Sequence, residues 1–217
     1  MTIKIFIADD HRILREGLRS MIEMISKIQV VGEAGNGREA VRLATERRPD
    51  VVIMDVNMPD LNGIEATRLL LKELPAVKVI GLSMYSDKRF VAGMLKAGAS
   101  GYLLKAGAFE ELATAVQTVM AGDIYLSPRV TGVVIEDYVG HLTQEKSALT
   151  ETLSPREREI LQLLAEGKSS KDIASLLNVS EKTVHTHRQH IMEKLNLHSI
   201  AELTKYAIRE GITTAEN

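Results

Sequence analysis

The first half of the chain alternates short apolar runs with longer amphipathic segments. Residues 3–8, 29–34, 51–54, 77–84 and 101–104 are too short for helices and rich in β-branched side chains, so they are predicted to be buried strands. Between them, residues 12–25, 38–47, 63–74, 89–97 and 109–121 carry apolar side chains at three- and four-residue spacing, with glycines nearby as breakers. Five consecutive βα units follow. Strands this uniformly apolar must be covered on both faces, which predicts an α/β fold over residues 1–122: a five-stranded parallel, doubly wound (βα)5 sheet with right-handed crossovers.

The pattern changes at Gly122-Asp123-Ile124-Tyr125-Leu126-Ser127-Pro128. A helix is predicted through Val139, and residues 140–152 are mostly polar, so residues 123–152 are expected to be a linker containing a helix. From Leu153 onward there is no strand signal, and four helices can be delimited by their caps. Ser154-Pro155-Arg156-Glu157 is a capping box with proline at the first helical position, and Gly167 closes that helix. Ser169 or Ser170 opens the second, Ser180 the third and Ser199 the fourth, which Gly211 ends. Residues 153–217 are therefore predicted to be a small all-α domain. Only Asn178-Val179 separates its second helix from Ser180, the tight connection of a helix-turn-helix.

Composition narrows the function classes. The chain has 217 residues, 45% of them apolar and 26% charged, enough for two soluble cores. It has no cysteine, which excludes disulfide frameworks, thiolate metal sites and cysteine nucleophiles and suits a reducing compartment. There is no apolar run of about 18 residues, and Asp9-Asp10 arrive before any leader-like stretch, so a cytoplasmic protein is expected. Residues 1–120 carry 16 Lys/Arg against 15 Asp/Glu, residues 121–150 carry 2 against 4, and residues 151–217 carry 9 against 10. No segment is strongly basic, so any nucleic-acid function must rest on local arrangement rather than net charge.

The strand ends carry the chemistry. In an open parallel sheet, ligands bind beyond the carboxyl ends of the strands. Those ends deliver Asp9 and Asp10, Asp55, Ser83 and Lys105. Three crowded carboxylates raise one another's pKa and call for a counter-charge, which a hard divalent cation, Mg²⁺ for preference, and a lysine provide. Such a group of residues suits phosphoryl chemistry, with Asp55 as nucleophile forming an acyl phosphate. Taken singly, each aspartate is as readily explained as a cap of the following helix. Five groups at the ends of four strands are much harder to explain that way.

Ile7-Ala8-Asp9-Asp10-His11, Val52-Ile53-Met54-Asp55-Val56-Asn57-Met58-Pro59-Asp60-Leu61-Asn62-Gly63, Leu82-Ser83 and Gly101-Tyr102-Leu103-Leu104-Lys105 together resemble the receiver domain of bacterial two-component response regulators. The resemblance implies that Asp55 accepts a phosphoryl group from the phosphohistidine of a sensor histidine kinase. It implies a metal site of Asp9, Asp10, Asp55 and the Asn57 carbonyl, with Asp9 acting partly through water. It also implies that Ser83 and Lys105 grip the phosphoryl group and that Tyr102 turns inward when Ser83 moves. Such a domain is a phosphoacceptor with at most slow self-dephosphorylation. Many receivers follow the lysine with a cis-proline. Here the pair is Lys105-Ala106, which leaves the conformation of that peptide open. A Mg²⁺-dependent phosphohydrolase with an aspartate nucleophile is the alternative. Phosphatases resembling the haloacid dehalogenases place a second acid two residues after the nucleophile, however, where this chain has Asn57.

On the third C-terminal helix, Val184, Arg188, Ile191 and Leu195 form the inward stripe, while Lys182, His185, Thr186 and Gln189 share the outward face. That face suits the major groove, and by residue pattern alone it equally suits plain solvation. Leu153-Ser154-Pro155-Arg156-Glu157-Arg158-Glu159-Ile160-Leu161, Lys171-Asp172-Ile173-Ala174 and Leu177-Asn178-Val179-Ser180-Glu181-Lys182-Thr183-Val184 are similar to the LuxR-type helix-turn-helix of NarL/FixJ regulators. The resemblance implies binding to double-stranded DNA, with Lys182 and Thr183 on phosphates and His185, Thr186 and Gln189 at base-reading positions. It also implies a homodimer in the phosphorylated form. His187 is expected to be structural. His185, His187 and His190 do not share one helical face, and no cysteine completes a set, so a zinc site is not expected there.

Overall fold

The computed structural model describes residues 2–143 and 153–214. The chain divides into two compact units, Met1–Glu145 and Lys146–Asn217. In the first, β1 (Ile3–Ala8), β2 (Ile28–Ala34), β3 (Val51–Asp55), β4 (Lys78–Ser83), β5 (Gly101–Leu104) and β6 (Tyr125–Leu126) form one sheet in the order β2-β1-β3-β4-β5-β6. Every pairing is parallel. Helices α1 (Arg12–Glu23), α2 (Gly37–Arg47), α3 (Gly63–Glu73), α4 (Lys88–Lys96), α5 (Ala108–Ala121) and α6 (Pro128–Thr143) complete the unit.

Successive strand residues point to opposite faces, and here both faces are covered. On one side Ile5, Ile7, Ile53 and Leu82 pack with Leu18 and Ile22 of α1 and Leu112 and Val116 of α5. On the other, Phe6, Val52, Met54 and Val79 pack with Ala40 of α2, Leu70 of α3 and Met94 of α4. The α/β class and the parallel, doubly wound sheet agree with the sequence, but the sheet has six strands rather than five. A two-residue strand framed by Gly122 and Pro128 is too short to carry an alternation signal, and pairing with Gly101 and Tyr102 creates it. Residues 123–143, expected as the first part of a linker, thus contribute β6 and α6 to the first unit. The rest of that expected linker, residues 144–152, lies outside the described residues.

One glycine is dictated by the site. A Cβ on Gly63 would collide with the carbonyl oxygen of Asp55, because the start of α3 crosses directly over the end of β3. The Gly63 amide donates to the Val56 carbonyl at 2.9 Å and ties that crossing down.

The second unit comprises α7 (Pro155–Ala165), α8 (Ser170–Leu177), α9 (Glu181–Leu195) and α10 (Ile200–Arg209) around a core of Ile160, Leu163, Ile173, Val184, Ile191 and Leu203. Serines cap all four helices: Ser154, Ser169, Ser180 and Ser199. Asn178, left-handed at φ 51°, ends α8 and turns the chain into the Ser180 cap. Among the described residues, no helix is long and apolar enough to cross a membrane.

Candidate functional site

With β1 placed between β2 and β3, the crossovers leave the sheet on opposite sides there, which opens a crevice at the carboxyl ends of β1 and β3. Asp9 follows β1 directly, Asp55 and Ser83 end β3 and β4, and Lys105 follows β5 as the first residue of a short 3-10 turn, Lys105–Gly107. Residues far apart in sequence meet here. Lys105 Nζ donates to Asp55 Oδ2 at 2.8 Å and lies 2.8 Å from Asp9 Oδ2. Asp9, Asp55, Ser83 and Lys105 are all buried. Among the described residues there is no cis peptide, so Lys105-Ala106 is trans.

Each of the two buried aspartates also closes a turn onto the amide two residues on. Asp9 Oδ1 accepts from the His11 amide at 2.8 Å, and Asp55 Oδ1 from the Asn57 amide at 3.2 Å. Asp10 is at the rim of the pocket, partly exposed. Two carboxylate oxygens, Asp9 Oδ2 and Asp10 Oδ1, are buried without an aligned hydrogen-bond donor; the Lys105 ammonium beside Asp9 makes an ionic contact only. Burial first, and then the neighbouring Asp9 charge, push the Asp55 carboxyl up to about 7 against the opposing pull of Lys105 and the Asn57 amide. Burial opposes the Lys105 ammonium, yet Asp55 and Asp9 outweigh it and hold Lys105 above the ordinary lysine range.

Ser83 Oγ accepts from the Tyr85 amide at 3.1 Å. Tyr102 is fully buried, and its hydroxyl donates to the Tyr85 carbonyl at 3.0 Å, so its ring is on the inward side of β5. Burial pushes the Tyr102 phenol above the usual tyrosine range. A surface cleft lined by Arg48, Asp50, Glu73 and Lys78 opens at the amino ends of β3 and β4, away from this chemistry.

Sequence reasoning passed over His11. Its Nδ1 stands 2.6 Å from Asp10 Oδ1 and 3.3 Å from Asp9 Oδ1, and donor atoms of Asp9, Asp10, His11 and Asp55 all lie within 4.8 Å of one another. The signal was present, a histidine immediately after the paired aspartates, but its direction depends on the turn into α1. Among the described residues this is the one group of carboxylates and imidazoles close enough to share an ion; His185, His187 and His190 form no other.

In the second unit, Val184 and Ile191 are buried, and Lys182, His185, Thr186 and Gln189 are exposed along one side of α9. Thr186 Oγ1 donates to the Lys182 carbonyl at 3.0 Å, and the Thr183 hydroxyl lies 2.8 Å from Ser180 Oγ, so both hydroxyls are already engaged at the helix start. His187 is half-buried. Glu157 of α7 accepts from Lys194 of α9 at 2.8 Å through both oxygens, fixing the helix that bears the exposed row. Burial would raise the Glu157 carboxyl, but bonds from Lys194 and Ser154 prevail and bring it to about 2.

Comparison with known proteins agrees with this two-part layout. Residues 5–117 match the response regulator receiver domain, and residues 151–207 match the luxR family of bacterial regulatory proteins. Over 214 residues the chain is 40% identical to the oxygen regulatory protein NreC of Staphylococcus carnosus, covering 97% of this chain and 99% of that protein. It is 39% identical over 222 residues to the transcriptional regulatory protein DegU of Brevibacillus brevis, covering 96% of this chain and 94% of that one. A solved structure of two RcsB dimers bound to two parallel DNAs matches with a TM-score of 0.59 at 27% identity, covering 95% of this chain and 98% of that one.

Proposed function

The chain belongs to the two-component response regulators that join a receiver domain to a LuxR-type DNA-binding domain and regulate transcription, and from that premise we propose how its own residues divide the work. Residues 1–122 act as the receiver, 123–152 as the connection and 153–217 as the DNA-binding part. Asp55 is the phosphoacceptor. One of its carboxylate oxygens attacks the phosphorus of a phosphohistidine on a sensor histidine kinase; the P–N bond breaks and its electron pair leaves with the imidazole. Lys105 neutralises one phosphoryl oxygen, and Ser83 meets another after leaving the Tyr85 amide. Tyr102, hydrogen-bonded to the Tyr85 carbonyl, is placed to follow that movement.

The observation that carries this reading is the meeting of Lys105 Nζ with Asp55 and Asp9, both at 2.8 Å, across three strand ends. The pocket also fits a hard cation: Asp9 Oδ2 and Asp10 Oδ1, buried without an aligned hydrogen-bond donor, are oxygen ligands of the kind Mg²⁺ takes. Asp9, Asp10, Asp55 and the Asn57 carbonyl would hold it. When bound, Mg²⁺ offsets the carboxylate charge and the charge developing on the phosphoryl oxygens. The phosphohydrolase alternative is set aside, since the second unit matches a DNA-binding family and Asn57 stands where a second acid would be needed.

Within the second unit, Lys182 and Thr183 contact phosphates, while His185, Thr186 and Gln189 face base edges in the major groove. The protein acts in the cytoplasm and binds DNA as a homodimer when phosphorylated; the RcsB dimers seen on DNA support the dimer. DNA affinity of unmodified protein, acetyl-phosphate-treated protein and Asp55→Ala tests the scheme. Treatment is expected to tighten binding of the unmodified chain by about 5- to 150-fold, the usual range of such coupling, and to leave Asp55→Ala unchanged. Equal affinity in all three samples rejects the switch.

A further inference from the structure

We infer that His11 is an additional donor to the divalent cation of the acidic pocket, through Nδ1, and that it shifts the pocket's preference from Mg²⁺ and Mn²⁺ toward later, imidazole-binding transition ions such as Co²⁺. The inference rests on the proposed phosphoacceptor site and assigns it a ligand beyond its oxygen donors.

The placement of the ring is the first ground. His11 is the N-cap residue of α1, yet its side chain makes no capping hydrogen bond. Its amide is held by Asp9 Oδ1 at 2.8 Å, which fixes where the side chain starts. From there the ring turns back over the carboxylates, bringing Nδ1 to 2.6 Å from Asp10 Oδ1 and 3.3 Å from Asp9 Oδ1. The four donor atoms of Asp9, Asp10, His11 and Asp55 fall within 4.8 Å of one another, a spread that one ion can bridge.

The second ground is what these atoms lack. Asp9 is 0% exposed, and its Oδ2 has no aligned donor despite the nearby ammonium. Asp10 Oδ1 likewise has no aligned hydrogen-bond donor, and its near neighbour is His11 Nδ1. Nδ1 thus stands at ion-pair distance from two carboxylate oxygens, Asp10 Oδ1 and Asp9 Oδ1, so nitrogen and oxygen donors converge on one point. The His11 side chain is 68% exposed, so an ion can reach the nitrogen without any unfolding. Donor chemistry gives the selectivity: carboxylates and carbonyls suit Mg²⁺ and Mn²⁺, whereas an imidazole gains more from the later transition ions.

The test is calorimetric titration of the full-length protein, its His11→Ala variant and its His11→Gln variant with Mg²⁺, Mn²⁺ and Co²⁺ in turn, with thermal melts confirming that each variant folds. Loss of the imidazole is expected to weaken Co²⁺ binding by about tenfold and to change Mg²⁺ and Mn²⁺ binding by less than about twofold. Pulsed EPR of the Mn²⁺-loaded wild type is expected to show a nitrogen coupling that disappears in both variants. Equal Co²⁺ affinities in wild type and variants, or a nitrogen coupling that survives the substitutions, overturns the role of His11 and leaves the oxygen site intact. Failure of the wild type to bind Mg²⁺ as well overturns the phosphoacceptor reading together with it.

Discussion

Asp55 is a carboxyl group placed where its ionised form is disfavoured. Its folded value of about 7 stands above its ordinary value of 3.8, so the folded state holds the proton more tightly than the unfolded chain does. Its favourable contribution is therefore complete below 3.8 and is lost as the pH rises through about 7. In a chelating buffer, the melting temperature of the wild type is expected to carry a downward component across that window. Asp55→Asn should remove it and melt higher at alkaline pH, by a few kcal/mol at most, since each pKa unit is worth about 1.4 kcal/mol. Thermal melts of both proteins across the window check this, and superimposable profiles would show that the buried charge carries no such penalty. The place of Asp55 was legible in the sequence because it ends an apolar strand. Its pKa was not, because burial and the approach of Asp9 are properties of packing.

At the level of elements, the best-read features were those with local causes. Serine caps and glycine or asparagine stops delimited α7 to α10 because a cap satisfies backbone groups within its own turn. The missed element, β6, is held by distant partners. Ser127 Oγ donates to Glu111 Oε2 at 2.6 Å and accepts from the Leu104 amide at 3.3 Å, while the Tyr125 hydroxyl donates to the same Glu111 oxygen at 3.1 Å. Val130 of α6 is then buried in the cluster that contains Tyr102, Phe90 and Met94. Glu111 thus fastens the segment after α5 to the strand that carries Tyr102. Glu111→Ala is expected to leave two hydroxyls without their acceptor, at a cost of about 1–3 kcal/mol local to β6. Hydrogen exchange checks it: the Tyr125 and Ser127 amides, which donate to Ser100 and Tyr102, should exchange faster while β1 is unaffected. Unchanged protection at those two amides would mean that Glu111 does not hold the strand.

For the whole molecule, a formal net charge of −2 means that attraction to DNA is not a bulk property. In the function proposed above it comes from the exposed row on α9. Lys182→Ala is expected to weaken binding to all sequences alike and to lower the salt slope of the affinity by about one, whereas Gln189→Ala should relax sequence preference at nearly constant slope. Binding isotherms at several salt concentrations, on specific and random duplexes, separate the two. An unchanged slope for Lys182→Ala would remove that residue from the phosphate contacts. The sequence by itself determined the alternation of strands and helices, the helix caps, the tight turn between α8 and α9 and the order of chemical groups at the strand ends. All of these follow from spacing along the chain and hydrogen bonds within a turn or two. Only the tertiary structure decided that Lys105 bridges Asp9 and Asp55, that His11 turns back over the carboxylates and that Tyr125 and Leu126 become a sixth strand. Those outcomes depend on contacts between residues far apart in sequence, whose distances and desolvation exist only once both faces of the sheet are packed.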